Sequence, residues 1–458
     1  MILDQLAAEV AQLSRRPLPQ EVLHHAKRAV LDWFACVFPG STMAPTPQLV
    51  AAQCDELGVG RSTVLGYGQT AFPATAAWIN GSAAHAAEFD DIFRDAVYHP
   101  GCPTVAAALA LAQDRHASGE ALLRSVIAGY EISTRVGAAV QPAHYRFFHT
   151  TGTAGCLGGA AAGALLVAPG SAQVALHAMA NASTFASGLQ QAFRSDAMTK
   201  ALHGGHAAMV GVQAAQGASA GVTGVRDMLE GAAGFGAALG GSARWERATE
   251  GLGQRYNIMA ITQKNHGCCG HTFAAIDAAL VLVQQYALSA QDIAAIRIQT
   301  YQVALDVTAN ATPVGAFEAR FSLPYVVCHA IVHGSVRLAA FEPERLNDLR
   351  VRRLMTQVEL QADPALSAAF PGQRAAKVEF VLHDGRRLSH FAPYRRGDPE
   401  SPLSDQELSD KFMELVAPVC GSPAAKTLLA QCWQLEHLTV DELELPSFAS
   451  SSVSGQPA

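Results

Sequence analysis

From residue 19 onward, apolar positions recur at three- and four-residue intervals. Val22, Ala26, Ala29, Val30 and Trp33 line one helical face; Pro19 opens that helix, and Gly40 with Ser41 closes it. The same periodicity predicts helices over about 46–57, 72–87, 103–113, 119–140 and 171–189. His149-Thr150-Thr151 offers hydroxyl caps to a segment, 152–168, that is apolar on every side, and a small-residue helix follows over 207–220. An all-apolar helix belongs at the centre of a bundle or at an oligomer interface. Glu131 and Arg135 stand at i, i+4 on the 119–140 helix, a spacing that permits either a surface ion pair or a brace for a buried turn.

The period changes near residue 290. Ile293, Ile296, Ile298, Tyr301 and Val303 mark a β-rich stretch, and two extended runs around Asp384-Gly385 predict a hairpin. Helical patterns at 322–334 and 342–356 lie between them. Ser404 and Glu407 then form a capping box, and 404–436 returns to helix. The expected fold is mainly α with an α+β second domain. A large helical domain is formed by both chain ends, 1–262 and 398–458, and a smaller α+β lid domain spans 263–397. No strand is expected before about residue 260, and a disordered tail is expected from about 447.

Composition narrows the class. The chain of 458 residues is 50% hydrophobic but only 7% aromatic, which suits closely packed helices. A net charge of −7 gives no support to a nucleic-acid partner. The nine cysteines include no C-x-x-C pair and read as reduced thiols. The 152–168 segment reads as too short and glycine-rich for a membrane span, and no signal peptide is visible at Met1-Ile-Leu-Asp-Gln. A cytoplasmic protein without a membrane partner is expected.

Against this apolar background, charge is concentrated in three places: 85–99, 194–206 and 263–271. The first holds four carboxylates, one arginine and two histidines, a mixture suited to proton transfer where water is limited. The second carries Lys200 and His203, and the third Lys264, His266, Cys268, Cys269 and His271. Lysines facing carboxylates and histidines would hold an anionic substrate. Each group also has a plain structural reading: a packed or solvated histidine, a solvated lysine, cysteines acting as small hydrophobes. No nucleotide-binding loop or serine-hydrolase elbow is present.

Several motifs then follow in a recognisable order. They are Asn80-Gly81, His85, Phe89-Asp90-Asp91, His99-Pro100, Gly129-Tyr130-Glu131 with Arg135, His149-Thr150, Thr199-Lys200 with His203 and Gly205, Lys264 with Cys269 and His271, and Phe321-Ser322-Leu323-Pro324-Tyr325. In these the chain resembles the MmgE/PrpD family, which includes 2-methylcitrate dehydratases, cis-aconitate decarboxylases and iminodisuccinate epimerases. The resemblance implies a helical domain plus an α+β lid, usually as a homodimer, with the active site in the cleft between domains. It implies an enzyme without cofactor or metal, acting on a small di- or tricarboxylate by proton transfer α to a carboxylate. Carried over position by position, it assigns catalysis to Glu88, His99, His149, Lys200 and Lys264, with His99 as base and the lysines stabilising the developing dianion. Substrate contacts would come from Asp90, Asp91, His203, Cys269, His271 and Tyr325. Glu88 and Ile92 depart from the family's usual Asp and Thr. The leading expectation is a 2-methylcitrate dehydratase-like hydro-lyase, with His149 or an acidic neighbour protonating the leaving hydroxyl. An epimerase or decarboxylase would use the same site. The expectation from another class is a non-catalytic carboxylate-binding or scaffold protein.

Overall fold

A computed structural model of the chain describes residues 1–193 and 197–448. Residues 194–196, part of the second polar deposit, and the tail beyond 448 lie outside the described residues. The chain separates into two compact units: Met1–Thr262 with Ser404–Ala458, and Gln263–Leu403.

The first unit is helical. Its principal helices are α1 (Ile2–Leu13), α2 (Gln20–Ser41), α3 (Pro73–Ala86), α4 (Gly101–Asp114), α5 (Gly119–Ala139), α6 (Thr150–Val167), α7 (Ala172–Thr184) and α8 (Thr199–Ser219). Ser118 and Ser171 cap α5 and α7, accepting from the Ala121 and Val174 backbone N–H groups. Small residues let these helices approach closely. A Cβ on Gly211 of α8 would lie 2.5 Å from the Gly159 carbonyl carbon of α6, and one on Gly205 would lie 2.1 Å from the Trp78 carbonyl oxygen of α3. The backbone of α8, which carries Lys200 and His203, therefore rests directly on α3 and α6. The helix begins eight residues earlier than its 207–220 apolar run suggests, because Lys200 and His203 belong to its first turns.

Helix α6 is long and apolar enough to cross a membrane by length and composition, contrary to the expectation from its sequence, yet 94% of it is buried inside the first unit. Its apolar faces are covered by other helices of the same chain, so they supply no argument for an oligomer interface. A short antiparallel hairpin, β1 (Ser62–Val64) with β2 (Gln69–Ala71), also corrects the expectation of no strand before residue 260. Three residues per strand are too few to show a two-residue period.

The second unit packs α9 (Phe273–Tyr286) and α10 (Leu323–His333) on a four-stranded sheet of order β4-β3-β5-β6. The strands are β3 (Ile293–Thr300), β4 (Val358–Ala362), β5 (Ala376–Leu382) and β6 (Arg387–Ala392). β3 pairs parallel with β4 and antiparallel with β5, while β5 and β6 form the hairpin around Asp384-Gly385. Ala376, Val378, Phe380 and Leu382 alternate inward on β5. The unit extends beyond residue 397 to Leu403, because Arg395 and Asp398 are buried in it as a bidentate pair, with N–O distances of 3.0 and 2.7 Å. The chain then returns to the first unit as α11 (Asp405–Cys420), opened by the Ser404/Glu407 capping box, and α12 (Ser422–Trp433).

Candidate active site

The first unit gathers seven of the expected site residues: Glu88, Asp90, Asp91, His99, His149, Lys200 and His203. Helix α3 ends with His85 fully buried, and the chain leaves it through Glu88, whose φ is +56°. Val97, near the far end of the same segment, has φ +47°. A left-handed β-branched residue is strained, and such strain persists only where the surroundings hold it. The holding contacts are evident. Ile92 and Thr262 exchange backbone hydrogen bonds of 2.9 and 2.8 Å, and Phe93 pairs with Tyr98. Asp91 accepts from the Gly101 N–H at 2.9 Å and from the Tyr130 hydroxyl at 2.7 Å.

This frame orients the imidazoles. His99 Nδ1 lies 2.8 Å from the Asp91 carbonyl oxygen. A carbonyl can only accept, so Nδ1 carries the proton and the neutral ring presents its lone pair on Nε2. His85 Nδ1 lies 2.7 Å from Asp90 Oδ2, and the same oxygen is 3.4 Å from His99 Nδ1. One carboxylate thus steadies two histidines. The ligand atoms of His85, Asp90 and His99 lie within 4.8 Å of one another, a spacing that metal ligands also adopt. His85 and Asp90, however, already form a hydrogen-bonded pair. His85 stacks on His149 with centroids 5.4 Å apart, and His149 Nδ1 is 3.0 Å from His203 Nδ1.

Electrostatics separates these groups into two kinds. Burial pushes His149 well below the usual histidine range, and the repulsion a second proton would meet from His85, Lys200, His99 and His203 acts in the same direction. His203 is lowered to about 4, chiefly by burial and then by His85. Both are neutral at pH 7 and share one proton between their Nδ1 atoms. For Lys200, burial opposes the charged form, but the ion-paired Glu88 carboxylate outweighs it and the pKa is raised. The site therefore holds a persistent cation beside neutral imidazoles.

Asp91 is raised to about 7, mainly by burial and against the hydrogen bonds from Tyr130 and Gly101. An ordinary aspartate ionises near 4. Below pH 4 both folded and unfolded chains hold the proton; between 4 and 7 only the folded chain does. Asp91 thus contributes stability that is fully present below pH 4 and is lost as pH rises to 7, by on the order of 4 kcal/mol. Asp91→Asn keeps the shape and the acceptor for Gly101 without the charge. The variant is expected to gain melting temperature relative to the wild type as pH goes from 4 to 7. A constant difference across that window would contradict this account.

The other expected residues lie in the second unit. Lys264 is buried there. Cys269 is half-buried, and its N–H donates to the Arg320 carbonyl at 2.9 Å. His271 Nδ1 is 2.6 Å from the Tyr301 hydroxyl, and its pKa falls to about 3 through burial and the nearby Arg374 and Arg395. Tyr325 departs from its expected role in substrate binding. It is fully buried in the core of that unit, with its hydroxyl bonded to the Ala340 carbonyl and Arg352 over its ring at 5.6 Å. His266 Nε2 pairs with Asp277 at 2.8 Å.

Three contributors had no assigned role from sequence: His85, Tyr130 and Lys411. Lys411 of α11 is fully buried, bonds Asp32 at 2.6 Å and the Phe89 carbonyl at 3.2 Å, and sits 4.5 Å over the Phe89 ring. His85 and Tyr130 stand in the quoted motifs; nothing near Lys411 in the sequence marks it.

The chain is similar to known proteins over most of its length. The human cis-aconitate decarboxylase is 28% identical over 95% of this chain and 92% of its own length. A cis-aconitate decarboxylase-like protein of Aspergillus oryzae is 26% identical over 98% and 97%, and the cis-aconitate decarboxylase of Aspergillus terreus 24% over 94% and 92%. Residues 4–248 match the MmgE/PrpD N-terminal domain and residues 266–435 the MmgE/PrpD C-terminal domain. With both domains present in order over most of its length, the chain belongs to the MmgE/PrpD family, whose lyase-type function it shares at the family level.

Proposed function

We propose that the protein is a decarboxylase of a small unsaturated tricarboxylate of the cis-aconitate kind. The observation that carries this reading is the similarity to cis-aconitate decarboxylases over more than nine-tenths of both chains, and the neutrality of His149 agrees with it. A dehydratase must protonate a departing hydroxyl, and a histidine held far below its usual pKa is a poor acid for that task at pH 7. Decarboxylation needs no such acid. The bond to one carboxylate breaks, carbon dioxide leaves, and the electron pair spreads towards the remaining carboxylates. Lys200 stabilises that charge, and His99, once its Nε2 has taken a proton from solvent, passes that proton to carbon and returns to the neutral ring. The names of the full-length relatives favour the same reaction over the hydro-lyase expected from sequence.

Incubation with cis-aconitate in D2O, followed by NMR and carbon dioxide capture, tests this. Stoichiometric carbon dioxide and one deuterium on carbon are expected. Water addition or loss with no carbon dioxide would restore the dehydratase reading. Exchange with inversion in a hydroxy- or imino-dicarboxylate and no carbon dioxide would establish an epimerase.

A further inference from the structure

The segment that runs from Asp91 to His99 also walls a separate cavity of about 350 Å³ in the first unit. Phe93, Arg94 and Asp95 line it, with Arg135, Arg247, Arg255 and a second carboxylate, Glu250, from other elements. Four arginines converging on one cavity stand out in a chain of net charge −7.

The arginines are not equivalent. Arg135 is committed to structure. It pairs with buried Glu131 at 2.9 Å and donates to the carbonyls of Glu250 and Arg255 at 2.7 and 2.8 Å. This settles the i, i+4 pair as a brace for a buried turn, and it shapes the cavity wall. Arg247 is held loosely, at 3.3 Å from Asp95 and 3.3 Å from the Ala138 carbonyl, and Asp95 is 63% exposed. Arg255 is exposed, with a 3.4 Å contact to the Glu250 carbonyl. Guanidinium forks match paired oxygens on phosphate or carboxylate, and the cavity has the size of a small-molecule site.

We propose that this cavity binds a small polyanion, with Asp95 as a tethered ligand that the incoming anion displaces from Arg247. The displacement would reach catalysis by a short route. Asp95 lies in the turn Arg94–Ala96, closed by the Phe93–Tyr98 backbone pair, and His99 follows Tyr98 directly. The proposal does not depend on which reaction the histidine site performs.

Pyrophosphate is the probe, titrated calorimetrically into the full chain and into Lys200→Ala. About one site per chain is expected in both. Arg247→Gln with Arg255→Gln should weaken binding by tenfold or more, the effect of removing charge-assisted hydrogen bonds. Asp95→Asn should tighten it several-fold, since the internal competitor is gone. Arg247→Lys with Arg255→Lys keeps the charge without the fork and should fall between, which separates binding from misfolding. Pyrophosphate should shift kcat or KM in the wild type and leave the arginine-to-glutamine variant unmoved. A parallel citrate titration distinguishes a carboxylate ligand, if citrate binds tighter, from a phosphate one. Binding lost in Lys200→Ala but kept in the arginine variants, weaker binding in Asp95→Asn, or no binding at all would overturn the proposal.

Discussion

His99→Ala is expected to lower kcat by about 10²- to 10⁴-fold, the range for removing a positioned acid–base group. The folded chain should survive the change. His99 is partly exposed, at 16%, and its Nδ1 bonds the Asp91 carbonyl. Its value lies in orientation: Nδ1 is committed to that carbonyl and sits 3.4 Å from Asp90, which leaves Nε2 as the nitrogen for proton transfer. His85→Gln should cost less, because His85 acts through Asp90. Its effect should appear as an altered pH–rate profile with KM little changed. Circular dichroism and melting of His99→Ala must match the wild type for the kinetic loss to count. Full turnover in that variant would remove His99 as the proton carrier. A wild type without turnover on any polycarboxylate would favour the binding or scaffold reading.

How much of this was legible in the sequence follows from the range of each interaction. The helix at 119–140 was readable because its apolar period is local, and the Asp384-Gly385 turn because hairpin chemistry is local. The charge deposit at 85–99 was readable as unusual, and the family motifs within it supplied roles. What sequence left open depended on distance along the chain. His149 and His203 are 54 residues apart, and neither reveals that burial beside Lys200 and other histidines keeps both neutral. Tyr325 shows the converse. It belongs to a clear motif, yet an aromatic ring at a helix start serves a core as readily as a site. β4 was missed because a five-residue parallel strand with no fully buried position lacks the inward alternation by which strands are found.

Lys411→Met is expected to destabilise the chain by about 3–5 kcal/mol, the cost of leaving a buried charge without its partner. Lys411 and Asp32 are both almost wholly buried and joined at 2.6 Å. Burial raises the Asp32 pKa, and Lys411 is the main force lowering it. Without the lysine, Asp32 must fold protonated. The loss relative to the wild type should therefore grow as pH rises through the wild-type Asp32 pKa, already above the ordinary carboxylate value, and should be larger at pH 8 than at pH 5. Urea denaturation at the two pH values measures it, and equal losses would contradict the charge argument. Adding Asp32→Leu should recover much of the stability, since apolar replacements of buried ion pairs are often neutral. Turnover should not recover with it. The same ammonium holds the Phe89 carbonyl at 3.2 Å and covers its ring, and Phe89 lies between Glu88 and Asp90. A stable double variant with wild-type turnover would show that Lys411 does no more than balance Asp32. A stable double variant with low turnover would show that α11 sets the segment on which Glu88, Asp90 and His99 depend.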